Sequence, residues 1–218
     1  MYAFALAPAP AISQAILGII PEPVVWISVG ALVAVVQPLD LSAIMADEAQ
    51  SLTAVVAHDR VLRELFALGD ILPLRFGTVF VSETALKEHL ETHQAHYQQK
   101  LTHVAGFGEF ALKVQPLPPS VPSPTPALEG RAYFTARKAH QNALLVAQQT
   151  AQTERLRLPS DLCTCFMLGA DRVHVGPERI DFLLPRAQET ALIAWVQAQV
   201  LIYHQLTLIG PLPPYHFV

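Results

Sequence analysis

The chain has 218 residues, of which 52% are apolar and only 15% charged, with a formal net charge of −4 when histidine is neutral. Globular chains average about 45–50% apolar and about 25% charged, so this one has ample core material and apolar surface left over. The negative balance argues against a nucleic-acid partner held by phosphate neutralisation, and the length accommodates one large domain or two small ones.

Residues 2–7 read as an opening strand, followed by a short helix. The first 39 residues carry one charged side chain, Glu22, and no basic segment precedes Pro8, so a secretory leader is not expected. The apolar stretch 23–39 is shorter than the roughly 20 residues of a membrane helix and contains Ser28, Gly30 and Gln37, so no membrane span is expected either. Its β-branched runs, 24–29 and 32–36 around Gly30, predict a buried hairpin. Residues 41–68 predict a helix with Val55, Leu62, Leu65 and Phe66 on one face and Gly69 as its stop. A strand interrupted at Gly77 is expected over 72–81. Ser82 then caps a long helix reaching Gly106, with Glu83 and Glu88 near its positive end. Residues 110–114 are expected to close the sheet. Helices mixed with a small, largely antiparallel sheet predict the α+β class, in a ferredoxin-like order with additions.

Six prolines fall within residues 116–126, which reads as a stiff solvated linker. The expected organisation is therefore an N-terminal α+β domain at 1–115, a linker at 116–127, a smaller α+β domain at 128–209 and a tail at 210–218. The second domain opens with a long helix at 128–157, whose Tyr133, Ala136, Ala143 and Ala147 share a small-residue face. Strands are expected at 162–168 and 179–184, with Gly176-Pro177 turning between them. A helix at 187–199 presents Leu192, Trp195 and Val196, and a strand at 201–209 leads into the tail. Cys163 and Cys165 alternate on the first of these strands, so they cannot bridge and read as free buried thiols in a reducing cytoplasm. The tail carries Pro211, Pro213 and Pro214 with Tyr215, His216 and Phe217. Proline fixes φ and stops helices and central strands, so an extended strap with aromatic knobs is expected, which calls for a surface to dock on.

Ile71-Leu72-Pro73-Leu74-Arg75-Phe76-Gly77-Thr78-Val79-Phe80 resembles the LPLRFGTVF core of the gas vesicle GvpF/GvpL family. The tail resembles that family's GP-x-PPY-x-FV ending, with Leu212 standing where many relatives carry Trp. Glu109-Phe110-Ala111-Leu112-Lys113-Val114 is similar to its E-x-x-x-KV stretch, and the segment from Gly130 through Tyr133 to Lys138 to its G-x-Y-x-x-x-K stretch. His58 and Val61 stand where the family has H-x-x-V. The resemblance implies an α+β fold with a ferredoxin-like first domain. It also implies a cytoplasmic accessory or minor structural protein of gas vesicles, without cofactor or catalysis. Its partners would be the hydrophobic shell protein GvpA and other Gvp accessory proteins. On the matching motifs, Arg75, Phe76, Gly77, Pro211, Pro213, Pro214, Tyr215 and Phe217 are the candidate interaction residues.

Two constellations invite a different reading. His89, His93, His96 and His103 fall within an arc of about 80° on a helix, and His89/His93 have the i, i+4 spacing zinc uses. A small metal-dependent hydrolase on His89, His93 and His96 is thus one alternative. Against it, Leu90 stands where an H-E-x-x-H site has its Glu, and no carboxylate or thiol completes a shell. The plainer reading is a polar flank beside Leu86, Leu90, Tyr97, Leu101 and Val104, with histidines that titrate near physiological pH. Arg75 is either a recognition residue at a subunit contact or a guanidinium satisfied by backbone carbonyls or a carboxylate. Gly77 supplies a bulge or a close backbone approach. The nucleophile-elbow, P-loop and dinucleotide fingerprints are absent, and Gly106-Phe107-Gly108 leads into a strand instead of a helix. Asp59, Asp70, Asp161, Asp171 and Asp181 are scattered. The expectation is therefore a protein that acts by contact with other proteins; a peripheral membrane protein using the apolar N-terminal stretch is the remaining alternative.

Overall fold

A computed structural model of the chain describes residues 1–10, 14–121 and 130–218. The chain divides into two units, Met1–Glu109 with Pro211–Val218, and Phe110–Gly210. Residues 122–126 of the proline-rich segment lie outside the described residues.

The first unit is built on a sheet of β1 (Tyr2–Pro8), β2 (Val25–Val29), β3 (Leu32–Gln37) and β4 (Leu72–Pro73), in the order β2-β3-β1-β4 with every adjacent pair antiparallel. The expected hairpin is present: Val29 pairs with Leu32, and Gly30, at φ +57°, takes the first central position of the turn. Every residue of β3 is buried, because helices cover both faces of the sheet. On one face Tyr2, Phe4 and Ala7 meet Val61, Leu62, Leu65 and Phe66. On the other Ala3, Leu6, Leu32 and Ala34 meet Leu86, Leu90 and Leu101. A register shift between Ala3 and Ala5 turns Phe4 and Ala5 to the same side. Burial on both faces explains why these strands read as continuous apolar runs.

Several expected elements differ from the structure. Among the described residues between β1 and β2 there is no helix; Leu17 bridges Pro23. Gln37, fully buried, organises this loop, accepting from Ile19 N–H (2.8 Å) and donating to Glu22 O (2.8 Å). The helix expected at 41–68 is two, α1 (Leu41–Met45) and α2 (Glu48–Leu68), because Asp47 caps the second by accepting from Gln50 N–H at 2.8 Å. Val55 belongs to the exposed face of α2, not the buried one. The helix expected from Ser82 to Gly106 begins as read, with Ser82 Oγ accepting from Ala85 N–H. It then breaks at His93 into α3 (Glu83–Thr92) and α4 (Gln94–Val104). The backbone and ring N–H groups of His93 both donate to His89 O, closing the first helix. The strand expected at 72–81 is only β4, after which the chain turns. The strand β5 (Phe107–Pro116) does not close the first sheet, since β4 occupies the place beside β1.

The second unit contains α5 (Gly130–Phe166), β6 (Val173–Val175), β7 (Arg179–Pro185), α6 (Glu189–Gln197) and β8 (His204–Leu212). Its sheet has the order β6-β7-β5-β8. Leu158, Leu162 and Leu192 pack on Phe110, Leu112, Phe182 and Leu184. The expected strand at 162–168 is instead the last turns of α5. Ala147, Glu154, Leu158 and Leu162 recur at helical spacing on its buried face, and that burial overrides the strand propensity of the segment. Cys163 is half-buried and Cys165 exposed, so the two thiols are free but not both buried. Glu154 closes the unit: its carboxylate accepts from Ile202 N–H (2.6 Å) and Tyr203 N–H (3.1 Å) and meets His204 Nδ1 at 3.0 Å. Burial pushes its pKa up, but these three partners outweigh that and hold it below the usual range. Two antiparallel sheets with packed helices make the chain α+β, as read.

Candidate functional site

Residues 75–78 form a tight turn. Thr78 N–H donates to Arg75 O at 3.1 Å, and Gly77, third in the turn, has φ +91°. That is the positive φ a type II turn demands at this place, so Gly77 serves a turn and not a strand bulge. Thr78 Oγ1 adds a second donor to Arg75 O at 2.7 Å.

A buried relay fixes the turn to the core. Gly77 N–H donates to the Tyr2 hydroxyl (3.4 Å), Tyr2 donates to His58 Nδ1 (2.8 Å), and His58 Nε2–H donates to Leu74 O (3.2 Å). The carbonyl only accepts, which places the ring proton on Nε2 and leaves Nδ1 as acceptor. Burial lowers the pKa of His58, against the opposing pull of Leu74 O and Asp59, so the ring is held neutral. Burial also pushes the Tyr2 hydroxyl up to about 12. Phe76 stands edge-on to Tyr2 and His58, with ring centroids 6.1 and 5.6 Å away. Arg75 points the other way. It is exposed, and its guanidinium has no hydrogen bond or ion pair among the described residues. The reading of a guanidinium satisfied by backbone carbonyls is thereby corrected.

Beside this turn lies an open groove of about 930 Å³. Leu74, Arg75 and Phe76 form one side, and Tyr97 and Lys100 of α4 contribute to the lining. Lys100 is half-buried and, like Arg75, has no partner among the described residues. Asp59, on α2, is engaged twice: Arg63 Nε donates to it at 2.6 Å and the Tyr215 hydroxyl at 2.6 Å. Burial raises its pKa, but Tyr215 and Arg63 more than offset this and hold the carboxyl below the usual range.

The tail reaches the same groove. Pro211 and Leu212 end β8, and Pro213 and Pro214 are buried. The chain then turns, with Tyr215 N–H donating to Pro213 O at 2.8 Å. Tyr215 packs against the core of α2, and burial followed by the Asp59 carboxylate drives its pKa far up. His216 N–H donates to Glu109 Oε2 (2.8 Å), and its Nδ1 meets Oε1 (2.6 Å). Of the candidate interaction residues, the structure brings Arg75, Phe76 and Tyr215 to the groove wall. Gly77, Pro211, Pro213, Pro214 and Phe217 do not line it.

The histidines of α3 and α4 have other uses. His89 Nε2 meets the Tyr97 hydroxyl at 2.8 Å, and the His89 and His93 rings stack at 4.3 Å. Burial, then the neighbouring His93, lowers the pKa of His89. Among the described residues no three of His89, His93, His96 and His103 bring ligand atoms within 4.8 Å of one another. The residues that sequence reasoning missed are those whose partners lie far along the chain. Tyr2 and Asp59 carried no signal, and Gln37 was visible only as one amide inside an apolar run.

The sequence profile of the family described as "Gas vesicle synthesis protein GvpL/GvpF" matches residues 1–218. Gas vesicle protein F from Streptomyces sp. (strain CB03234) is 28% identical over 218 aligned positions, covering 91% of this chain and 89% of that protein. Two solved structures share the fold. GvpF from Microcystis aeruginosa superposes with a TM-score of 0.70 at 17% identity, covering 99% of this chain and 97% of that one. GvpF from Anabaena sp. PCC7120 gives 0.64 at 17% identity, covering 99% and 94%.

Proposed function

This chain belongs to the gas vesicle synthesis protein GvpL/GvpF family, and from that premise we propose that it acts by protein–protein contact during gas vesicle assembly, binding the hydrophobic shell protein GvpA. Other Gvp accessory proteins are further partners in this reading. The observation that carries it is a stripe on α2. Leu52 is 68% exposed, Val55 44% and Val56 61%, at i, i+3 and i+4 spacing. The opposite side of the same helix is core. An apolar stripe left on the outside of a helix marks an interaction surface, and a partner with a hydrophobic face is what such a stripe fits.

The finer reading follows the same line. The order β4-β1-β3-β2 supports a ferredoxin-like first domain with additions. We take the protein to work in the cytoplasm at the gas vesicle; among the described residues no helix is long and apolar enough to cross a membrane. The tail acts as a strap that a docking partner displaces. The role is non-enzymatic in this account, since His58, Asp59 and Glu154 are committed to bonds that hold the fold. Co-expression with GvpA tests it. The chain should raise the fraction of shell protein that stays out of the pellet, and an unchanged fraction would count against the proposal.

A further inference from the structure

We propose that the groove beside the 75–78 turn takes an extended acidic segment of a partner protein, with a carboxylate drawn to Arg75 and Lys100 and apolar neighbours against Phe76. This rests on the protein-contact reading above but not on the identity of the partner.

Charge complementarity decides the occupant. Two cations line the groove, and neither has an anion among the described residues. The backbone of Arg75 belongs to a turn pinned by Gly77, Tyr2 and His58, while its exposed guanidinium has no bond among the described residues. Lys100 is half-buried and has no counter-charge among the described residues, so an incoming carboxylate would supply its first ion pair. Of the carboxylates in the lining, Asp59 is already taken by Arg63 and Tyr215, and that of Val218 forms no ion pair with Arg75 or Lys100. His96 and His216 also line the groove, and His216 is bonded to Glu109. Arg75 and Lys100 are thus left without a counter-charge among the described residues, on a chain whose net charge is −4.

Shape and composition point to peptide. The volume of about 930 Å³ exceeds what a single ion needs and accommodates several side chains. Phe76 and Tyr97 add aromatic lining, and a planar guanidinium suits bidentate capture of a carboxylate. Val55 belongs both to this groove and to the exposed stripe of α2, so an apolar segment lying on the stripe leads into it. A nucleic acid would meet only these two cations and an overall negative chain, too little for phosphate neutralisation.

The test uses the full chain. A phage-displayed library of random octapeptides is panned on the wild type and, in parallel, on Arg75→Glu/Lys100→Glu. Peptides enriched on the wild type should carry Asp or Glu beside apolar residues. The synthetic form of the best one should bind the variant at least about tenfold more weakly, and its binding to the wild type should weaken between about 50 and about 200 mM salt. Arg75→Gln/Lys100→Gln, which removes the charges without reversing them, guards against misfolding of the first variant and should show an intermediate loss. Enrichment of peptides without carboxylates, undiminished binding by both variants, or no enrichment on the wild type would each overturn the proposal. None of these outcomes depends on GvpA, so this inference and the shell-protein reading fail separately.

Discussion

The Tyr2 hydroxyl donates to Nδ1 of His58 at 2.8 Å, joining the first strand to α2 across 56 residues of sequence. Both groups are buried, and the same hydroxyl accepts from Gly77 N–H. One phenol oxygen therefore positions both a core imidazole and the turn that displays Arg75.

Removing that oxygen strands two polar groups. Tyr2→Phe leaves His58 Nδ1 without its donor and Gly77 N–H without its acceptor, at nearly constant volume. A loss of about 1–2 kcal/mol is expected, since the buried His58 Nδ1 costs about 1–3 kcal/mol when orphaned, while Gly77 is exposed and its N–H can turn to water. Urea denaturation of the two proteins measures it; equal midpoints would mean the relay contributes nothing.

Acid should weaken the fold through His58. Burial lowers its folded pKa below 6.5, so near that pH the unfolded chain binds more protons than the folded one. Stability then rises with pH, is complete above about pH 6.5 and falls as pH drops toward the folded pKa. His89 is shifted in the same direction. The Tm should therefore fall between about pH 7.5 and about pH 5.5, and His58→Phe should flatten that decline more than His89→Phe. The same slope in His58→Phe as in wild type would contradict the assignment.

Gly77→Ala tests the turn. The position has open space but φ +91°, so the added methyl meets no neighbour and the cost is backbone strain. A loss of about 1–3 kcal/mol is expected for a non-glycine residue held there. If the chain relieves the strain by reshaping the turn, Arg75 moves and acidic-peptide binding falls with it. Thermal melts and peptide titration on one preparation read both effects.

Glu154→Ala should be among the more damaging changes in the second unit. It leaves Ile202 N–H, Tyr203 N–H and His204 without their carboxylate. Hydrogen bonds to a charged group are worth about 1.5–3 kcal/mol each, so a loss above about 2 kcal/mol is expected, against much less for the exposed Glu178→Ala. Because the folded pKa of Glu154 is depressed below 4.5, its contribution is present above that pH and lost as acid protonates it. Denaturation of both variants at neutral and acid pH checks the size and the sign.

The elements legible in the sequence were those set by local pattern. The hairpin around Gly30 followed from β-branched runs and one turn residue, and Ser82 declared its helix start. The breaks at Asp47 and His93 were not legible, because each depends on a side chain choosing a backbone partner over continued helix. The end of α5 was misread as strand, since Thr164, Cys165 and Phe166 favour strands locally while Leu158 and Leu162 are held by the core of the second unit. Residues 110–114 were read correctly as a strand but placed in the wrong sheet; strand partnership is non-local, and nothing in a short apolar run names its neighbour. At the site, Arg75, Gly77 and His58 stood out in the sequence, whereas Tyr2, Lys100 and Asp59 did not. The partners of Tyr2 lie 56 and 75 residues away and Tyr215, which bonds Asp59, 156 away; the role of Lys100 arises from the groove it lines.

The most direct test of the account is a titration of the full chain with purified, detergent-solubilised GvpA, repeated with Leu52→Ser/Val55→Ser/Val56→Ser. These side chains are exposed, so the variant should fold normally. The account expects saturable binding by the wild type and at least about tenfold weaker binding by the variant. Absence of saturable binding by the wild type, or equal binding by both proteins, would contradict it.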